Sequence, residues 1–221
     1  MNRVELKNKA KELIRGNKWY ILKPAIIFGL AVFLIELIAI GIDYATGGIT
    51  AEKVMVLGVE TTNYSGGIFT SIVSFFTGLF SAAFGVAYAY YILSFIRGKR
   101  MEMNDIVNWI KAHWSISIIV TILVGLIVIG CSILLVIPGI IAAIGLQFFQ
   151  EVCADNTDMS AKDIISKAWN MTNGHKLDLF VLALSFIGWA LLAPFTLGIL
   201  YIWLAPYITV TLTLAYEELK K

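Results

Sequence analysis

The chain has 221 residues, of which 59% are hydrophobic and 14% are charged, and its mean hydropathy is +0.82. Soluble domains carry about one quarter charged residues, so this chain has too few charges to cover a surface that faces water. The net charge of +2 is too small to indicate binding to nucleic acid. The composition excludes an ordinary soluble domain and indicates a membrane protein.

Long apolar runs predict six membrane-spanning helices, because about 20 helical residues cross the core of a bilayer. Pro194 divides the last run, 177–216, into two spans, and Pro138-Gly139 predicts the turn between the third and fourth spans. The predicted fold class is all-α, a polytopic membrane protein of three helical hairpins in a single domain over residues 1–221. The predicted spans are about 25–42, 68–95, 115–136, 139–153, 177–194 and 198–216.

Basic residues predict the orientation of the chain, because Lys and Arg collect on the cytoplasmic side of membrane proteins. Sixteen of the seventeen Lys and Arg residues fall in the segments 1–23, 97–114, 154–176 and 217–221. Six spans place all four segments on one side, so both termini are predicted to be cytoplasmic. We expect these segments to contact the anionic headgroups of membrane lipids.

Three of the cytoplasmic segments predict amphipathic helices, each followed by a pair of spans. The first lies within 1–23, and Gly16 ends it. Asn104 is the expected cap of the second helix. Ser160 is the expected cap of the third, and Gly174 ends that helix.

The longest outside segment is the extracellular loop 43–67, which is rich in glycine. It contains one short β-like stretch, KVMVLGVET, at 53–61. A lid over a binding site and a surface for a partner protein both fit this composition, and the sequence leaves the choice open.

Small residues recur at every fourth position in the second span, in two rows. Patterns of this kind let helix backbones approach closely in lipid. We therefore expect the first three spans to form a tight bundle and assign these residues no chemistry. The rows are Ser74, Gly78 and Ala82, and Ser81, Gly85 and Ala89.

Glu36 lies near the middle of the first span, and none of the predicted spans contains a Lys or Arg that could pair with it. An apolar site without a cation favours the neutral form of a carboxyl. One interpretation is a protonated Glu36 that forms a hydrogen bond between helices. A second is a site that binds a proton, a cation or a basic group, and a third is a side chain exposed to lipid near a thinned edge of the bilayer. The expected partners are neutral groups, with Tyr88, Tyr91, Gln147, Thr209 and Thr213 as candidates.

Other polar residues extend the set of ligand-binding candidates. Asp43 is seven residues after Glu36, on the same helix face and at the outer rim. Gln147 and Glu151 are four residues apart at the inner end of the fourth span, where they line a cavity or mark where the helix leaves the membrane. The full set of candidates is Glu36, Asp43, Tyr88, Gln147 and Glu151.

Catalytic constellations do not occur in the sequence. There is no HExxH, no GxSxG and no phosphate-binding loop, and the acids and histidines are scattered singly. We therefore predict no catalytic residue, no metal site and no cofactor.

Four segments carry a resemblance to a known family: MNRVELKNKAKELIRGNKW at 1–19, LLVIPGIIAAIGLQFF at 134–149, ISKAWNMTNGHKLDLFVLALSFIGWALL at 165–192 and PYITV at 206–210. They resemble the bacterial integral membrane family catalogued as domain of unknown function 975. The matching interface and turn positions are Gly16, Asn17, Trp19, Pro138, Gly139, Gly174, His175 and Lys176.

The resemblance implies a six-span protein of the bacterial cytoplasmic membrane, found mostly in Gram-positive bacteria. The family is similar to the membrane portion attached to some glycerophosphodiester phosphodiesterases. The resemblance implies no established activity and no catalytic residues. The chain departs from the family at 171–174, MTNG, where the family typically has methionine, lysine and glycine before its His. That departure weakens any role assigned to the missing lysine.

Three functional hypotheses follow from these observations. The first is a non-enzymatic membrane protein whose intramembrane cavity binds a lipid, a peptide or a small cationic ligand, in transport, sequestration or immunity to a membrane-active compound. The second is a structural or accessory subunit of a larger complex, or a homo-oligomer, in which the small-residue rows contact partner helices. The third is a lipid-modifying membrane enzyme.

Overall fold

The computed structural model describes residues 2–56, 59–192, 194–196 and 200–220. The helices are α1 (Arg3–Ile14), α2 (Lys18–Ala45), α3 (Ile68–Ile96), α4 (Met103–Leu134), α5 (Val136–Gly145), α6 (Phe149–Asp155), α7 (Ala161–Met171), α8 (Lys176–Leu192) and α9 (Tyr201–Leu219). A single 3-10 turn covers Pro194–Thr196. The strands β1 (Thr50–Val56) and β2 (Val59–Ser65) pair antiparallel.

Four segments within the described residues are long and apolar enough to cross a membrane. They are α2, α3, α4 and Val136–Asp155, which contains α5 and α6. Helices α7 and α8 pass the same test only together, and they bend by 85° at their junction, so the number of such segments is four or five. The predicted helical class is confirmed outside the hairpin, and the count of six spans stays a prediction.

The described residues fall into two units, Met1–Pro24 with Ala82–Lys221 and Ala25–Ser81. The main core lies in the first unit, around the C-terminal half of α3. Val86 and Ile92 are fully buried there, as are Phe148 and Tyr216 from later segments. Helix α1 joins this core through its apolar face, which includes Ala10. Burial of that face holds the polar helix α1 in place.

Glycine ends two of the predicted amphipathic helices. Gly16 follows α1 with a φ of +81°, and Gly174 follows α7 with a φ of +80°. Residues with a side chain are strained in this left-handed region, so glycine is the residue that both turns favour. The predicted cap of α7 is also confirmed, since the Ser160 hydroxyl accepts the backbone N–H of Asp163 at 3.3 Å.

The expected cap of α4 at Asn104 is wrong by two residues. Helix α4 begins at Met103, and Glu102 is its N-cap. The Asp105 carboxylate accepts the backbone N–H of Glu102 at 2.8 Å, so acidic side chains fix the start of the helix two residues before the predicted cap.

The turn between α4 and α5 lies at Leu135, whose φ of −162° and ψ of 147° are extended, so the turn predicted at 137–139 is wrong. Pro138 lies instead in the first turn of α5, where a missing N–H breaks no helical hydrogen bond. A Cβ on Gly139 would come within 2.9 Å of the Ser132 Cα. The Pro-Gly pair therefore starts α5 and lets it pack closely on α4.

Helix α4 combines the second predicted amphipathic helix with the third predicted span. The two parts meet at His113, whose φ of −128° and ψ of 15° are not helical. The Ser117 hydroxyl donates a hydrogen bond to the His113 backbone carbonyl at 2.9 Å, next to the kink.

The glycine-rich outer loop contains the β1–β2 hairpin. Its register pairs Thr50 with Ser65 and Val56 with Val59. The predicted β-like stretch, 53–61, is therefore two strands rather than one. Residues 57 and 58, which connect the strands, lie outside the described residues.

Candidate ligand-binding site

Glu36 has two hydroxyl partners in the second unit. Its carboxylate accepts the Ser74 hydroxyl at 2.8 Å and the Thr77 hydroxyl at 2.6 Å. The expected kind of partner, a neutral hydrogen-bonding group, is confirmed, but the expected partner residues are wrong. The reason is the hairpin between α2 and α3, which brings Glu36 opposite residues about 40 positions later in the chain.

Asp43 caps the start of α3. Its carboxylate accepts the backbone N–H of Thr70 at 2.6 Å and that of Phe69 at 3.4 Å, and the residue is 4% exposed. A Cβ on Gly67 would overlap this carboxylate, and one on Gly48 would lie 2.9 Å from it. The structure therefore assigns Asp43 a capping role rather than an open carboxylate.

The other three predicted ligand candidates lie in the first unit, at separate places. Tyr88 donates to the Ile21 carbonyl at 2.9 Å. Gln147 lies in the break between α5 and α6, and Glu151 lies in α6, so the two residues are not part of one continuous helix. Among the described residues, the buried side-chain nitrogen of Gln147 has no hydrogen-bond partner, whereas Glu151 interacts with the Thr213 hydroxyl.

The small-residue rows of α3 make unequal contacts. No described atom lies within 4 Å of the Cβ position at Gly78, whereas the position at Gly85 lies 2.7 Å from the Gln150 side chain. Ser74 is bonded to Glu36, and Ala89 is buried in the core. A tight approach involving these rows is seen at Gly85, and packing of the full rows stays a prediction.

The predicted interface positions lie at helix ends. Asn17 donates its side-chain amide to the Leu13 carbonyl at 3.1 Å and accepts from Arg100 at 2.8 Å. Trp19 is 71% exposed. His175 lies 3.9 Å from Asp178, and the Lys176 ammonium lies 3.3 Å from the centroid of the Trp169 ring. These contacts fix the turns after α1 and α7.

A cavity of about 640 Å³ lies between α1, the start of α2, α8 and α9 in the first unit. We call it the basic cavity, because every charged side chain that lines it is a cation. Burial and the neighbouring cations Lys11 and Arg3 lower the pKa of the Lys7 ammonium from its ordinary value of 10.5. The lining cations are Lys7, Lys11, Arg15 and Lys18.

Aromatic rings contact three of these cations. The Lys7 ammonium lies 4.6 Å from the Phe186 ring centroid and donates to the Ser185 hydroxyl at 2.5 Å. The remaining ring contacts are Lys11 over Tyr207 at 5.8 Å and Lys18 over Trp203 at 3.1 Å. Cation–π attraction holds ammonium groups over ring faces without neutralising their charge.

Sequence reasoning missed the basic cavity. Lys7 and Lys11 are four apart on α1, and Trp203 and Tyr207 are four apart on α9, so each pair lies on one helix face. That spacing was a usable signal within each helix. It does not show that α1 packs beside α8 and α9, which are more than 160 residues away in the chain.

Charged groups at three helix ends form an ion-pair cluster. Arg97, just after α3, donates to both carboxylate oxygens of Asp155 at 2.7 and 2.6 Å and to Glu217 at 2.6 Å. Lys220 and the Tyr216 hydroxyl also donate to Asp155. The hydrogen bonds that Arg97 donates to Asp155 and Glu217 raise the pKa of its guanidinium. The cluster joins the C-terminal ends of α3, α6 and α9.

The described residues contain no group of three or more His, Cys, Asp or Glu side chains placed to hold a metal ion. Taken together, the fold is that of a helical protein with four or five segments suited to crossing a membrane and a basic, aromatic cavity. The chain belongs to the family described as Protein of unknown function (DUF975), whose model matches residues 1–221. Comparison with curated proteins and with solved structures gives no match.

Proposed function

We propose that this chain is a non-enzymatic protein of the bacterial cytoplasmic membrane that binds an anionic lipid in the basic cavity, for sequestration or transport. One observation carries the proposal: the cavity is lined by four cations and four aromatic residues, and no acidic side chain lines it. Its volume of about 640 Å³ fits a ligand site. Each basic group near an anionic headgroup contributes about 1 kcal/mol of attraction.

The cavity chemistry favours a lipid over the other ligands that the sequence suggested. A small cationic ligand would meet four positive charges at this cavity. The apolar part of the lining, which includes Ile14, Leu200 and Leu204, suits an acyl chain beside the charged head. An anionic lipid would contact the cations with its head group and the apolar residues with its acyl chain.

Native mass spectrometry of the purified full chain tests this proposal. The protein in detergent is mixed with equal amounts of phosphatidylglycerol and phosphatidylcholine that carry identical acyl chains. We expect preferential retention of phosphatidylglycerol, reduced by Lys11→Gln and unchanged by Lys9→Gln, because Lys9 is on the same helix but does not line the cavity. Equal retention of the two lipids would contradict the proposal.

The proposed topology has six crossings with both termini in the cytoplasm. The distribution of Lys and Arg supports it, because sixteen of seventeen then lie inside. A second support is a surface cavity lined by Glu5 near the N-terminus, Arg97 after α3 and Glu217 near the C-terminus. Groups that share one cavity lie on the same side of the bilayer.

Single-cysteine labelling tests this topology in a Cys131→Ser, Cys153→Ala background. A membrane-impermeant maleimide is expected to label Lys53→Cys in intact cells. It is expected to label Lys99→Cys and Lys167→Cys only after permeabilisation. Labelling of either cytoplasmic position in intact cells would contradict the arrangement.

A second candidate function is an assembly of copies of this chain through α3. Glu36 is only partly covered, Ser74 is exposed, and the face beside Gly78 is open in the described chain. A partly exposed carboxyl is costly in lipid, so a second helix on this face is favoured. Oxidative cross-linking of Gly78→Cys in the same cysteine-free background is expected to give a dimer, and a purely monomeric product would contradict this candidate.

A further inference from the structure

We propose that the basic cavity selects lipids whose head group carries more than one negative charge, a phosphomonoester or a diphosphate, over lipids with a single phosphodiester charge. This inference rests on the proposed function and specifies the chemistry of the ligand. It follows from the number, spacing and partners of the cations that line the cavity.

The side chains that line the basic cavity give it an excess of positive charge. Lys7 and Lys11 are separated by one helical turn on α1, and Arg15, the residue that caps the end of α1, follows four residues later, so like charges succeed each other toward the end of the helix. Like charges at this spacing repel and destabilise a helix. A row of this kind costs stability in the empty protein, and a bound anion removes that cost.

Ionic partners distinguish the cations of the basic cavity from those of the ion-pair cluster. In the described part of the chain, no carboxylate lies within ion-pair distance of Lys7, Lys11, Arg15 or Lys18. This contrasts with Arg97, which is fully paired with Asp155 and Glu217 in the same unit. Arg97 and Lys220 are neutralised in the ion-pair cluster, whereas the four cations of the cavity remain available to a ligand.

The ammonium groups that line the cavity have hydrogen-bond donors that a ligand can use. An ammonium group has three donors, and the Ser185 hydroxyl uses one of those on Lys7. The ring faces below Lys11 and Lys18 use none in a directed hydrogen bond. Several charged donors therefore remain for the oxygens of a phosphate, and charge-assisted bonds of this kind are the stronger ones.

Lipid head groups differ in the negative charge that they bring to the cavity. A phosphodiester such as phosphatidylglycerol has one negative charge, so most of the cavity charge stays unbalanced. A phosphomonoester has a second pKa of about 6 and carries about 1.5 to 2 negative charges at pH 7. A diphosphate carries more. Because the cavity has four cations, each added negative charge improves the electrostatic balance.

The decisive experiment is a competition in native mass spectrometry between phosphatidic acid, phosphatidylglycerol and phosphatidylcholine with identical acyl chains. At pH 7.5 we expect phosphatidic acid to be retained about fivefold to tenfold more than phosphatidylglycerol. At pH 5 this preference should shrink, because the monoester loses its second charge. Lys11→Gln should reduce retention of phosphatidic acid about fivefold, and Lys9→Gln should leave it unchanged.

The outcomes separate this inference from the proposed function. Equal retention of phosphatidic acid and phosphatidylglycerol, both above phosphatidylcholine, would overturn the head-group inference and leave anionic-lipid binding intact. Equal retention of all three lipids would overturn both. A further arm adds millimolar inorganic phosphate or pyrophosphate: displacement of the lipid at concentrations equal to that of the lipid would show that the site recognises the free anion, which would also overturn the inference.

Discussion

The ammonium nitrogen of Lys18, at the start of α2, lies 3.1 Å from the centroid of the Trp203 ring in α9. This contact joins two helices that are 185 residues apart in the chain and forms one wall of the basic cavity. It is a charged group held on a neutral ring, so the cation keeps its charge for a ligand.

Replacing Trp203 by Leu is expected to lower the free energy of unfolding by about 1 kcal/mol, because the cation–π contact is lost. Lys18→Gln should have a similar effect, and the double variant should cost less than the sum of the two. Thermal unfolding in detergent measures all three. Trp19→Leu is the control, since Trp19 is 71% exposed. Strict additivity of the two changes would contradict the proposed coupling.

Asp43→Ala should destabilise the outer end of α3 by about 1–2 kcal/mol, the usual cost of removing a helix cap. Asp43→Asn should keep much of the stability, because the amide oxygen still accepts a backbone N–H. Hydrogen exchange at the amides of Phe69 and Thr70 reports the effect directly. Unchanged protection of both amides in Asp43→Ala would show that the carboxylate does not cap this helix.

Asp155→Asn should cost about 2–3 kcal/mol of unfolding free energy, because the Asp155 carboxylate accepts hydrogen bonds from Arg97, Lys220 and Tyr216. The value is below that of a fully buried pair, since the Arg97 side chain is 34% exposed. Asp158→Asn is the matched control, because Asp158 is exposed. Chemical denaturation that finds equal stabilities for the two variants would rule out a structural role for the cluster.

Glu36→Gln should change stability little, because the amide oxygen still accepts one of the two hydroxyls and the amide NH2 donates to the other. Glu36→Leu should cost about 1 kcal/mol, in the range measured for hydrogen bonds between membrane helices. The measurement is the unfolding free energy in detergent. If Glu36→Leu is as stable as the parent, the two hydroxyl contacts contribute nothing to helix pairing.

The lowered pKa of Lys7 predicts a pH dependence with a definite sign. Between the folded pKa and the ordinary value of 10.5, the unfolded chain binds more protons than the folded chain. The unfolding free energy should therefore rise with pH across that window, as the cost of burying a charged Lys7 beside Lys11 and Arg3 disappears. Below the folded pKa the cost is present in full.

Comparison with Lys7→Gln isolates this contribution from other groups that titrate in the same range. The difference in unfolding free energy between parent and variant should shrink as pH rises through the window. A difference that is constant with pH would contradict the assignment. Saturating phosphatidic acid should abolish the effect, because an anion beside Lys7 favours its charged form.

Local patterns predicted the local features of this protein. Gly16 and Gly174 mark helix ends because glycine tolerates a positive φ, and Ser160 caps α7 because its hydroxyl reaches the backbone N–H of Asp163. The turn at Leu135 was predicted three to four residues late, at Pro138-Gly139, since a Pro-Gly pair also fits the first turn of a helix.

The candidate site was only partly predictable. The sequence identified Glu36 as a residue that needs a neutral partner, yet the partners Ser74 and Thr77 depend on the register of the α2–α3 hairpin. Asp43 was predicted as part of a ligand site, but it caps α3, because the loop returns the chain to the end of α2. Residues of the basic cavity looked like ordinary amphipathic positions.

The sequence by itself determined the helical class of the chain and the approximate positions of its long apolar helices, because hydropathy and helix-ending residues act over a few turns of chain. It also determined which residues are charged. Only the tertiary structure decided which charges meet: Arg97 finds Asp155, whereas Lys7 and Lys18 find Ser185 and Trp203. Those pairings depend on how distant helices pack, and side-chain spacing along one helix carries no information about its neighbour.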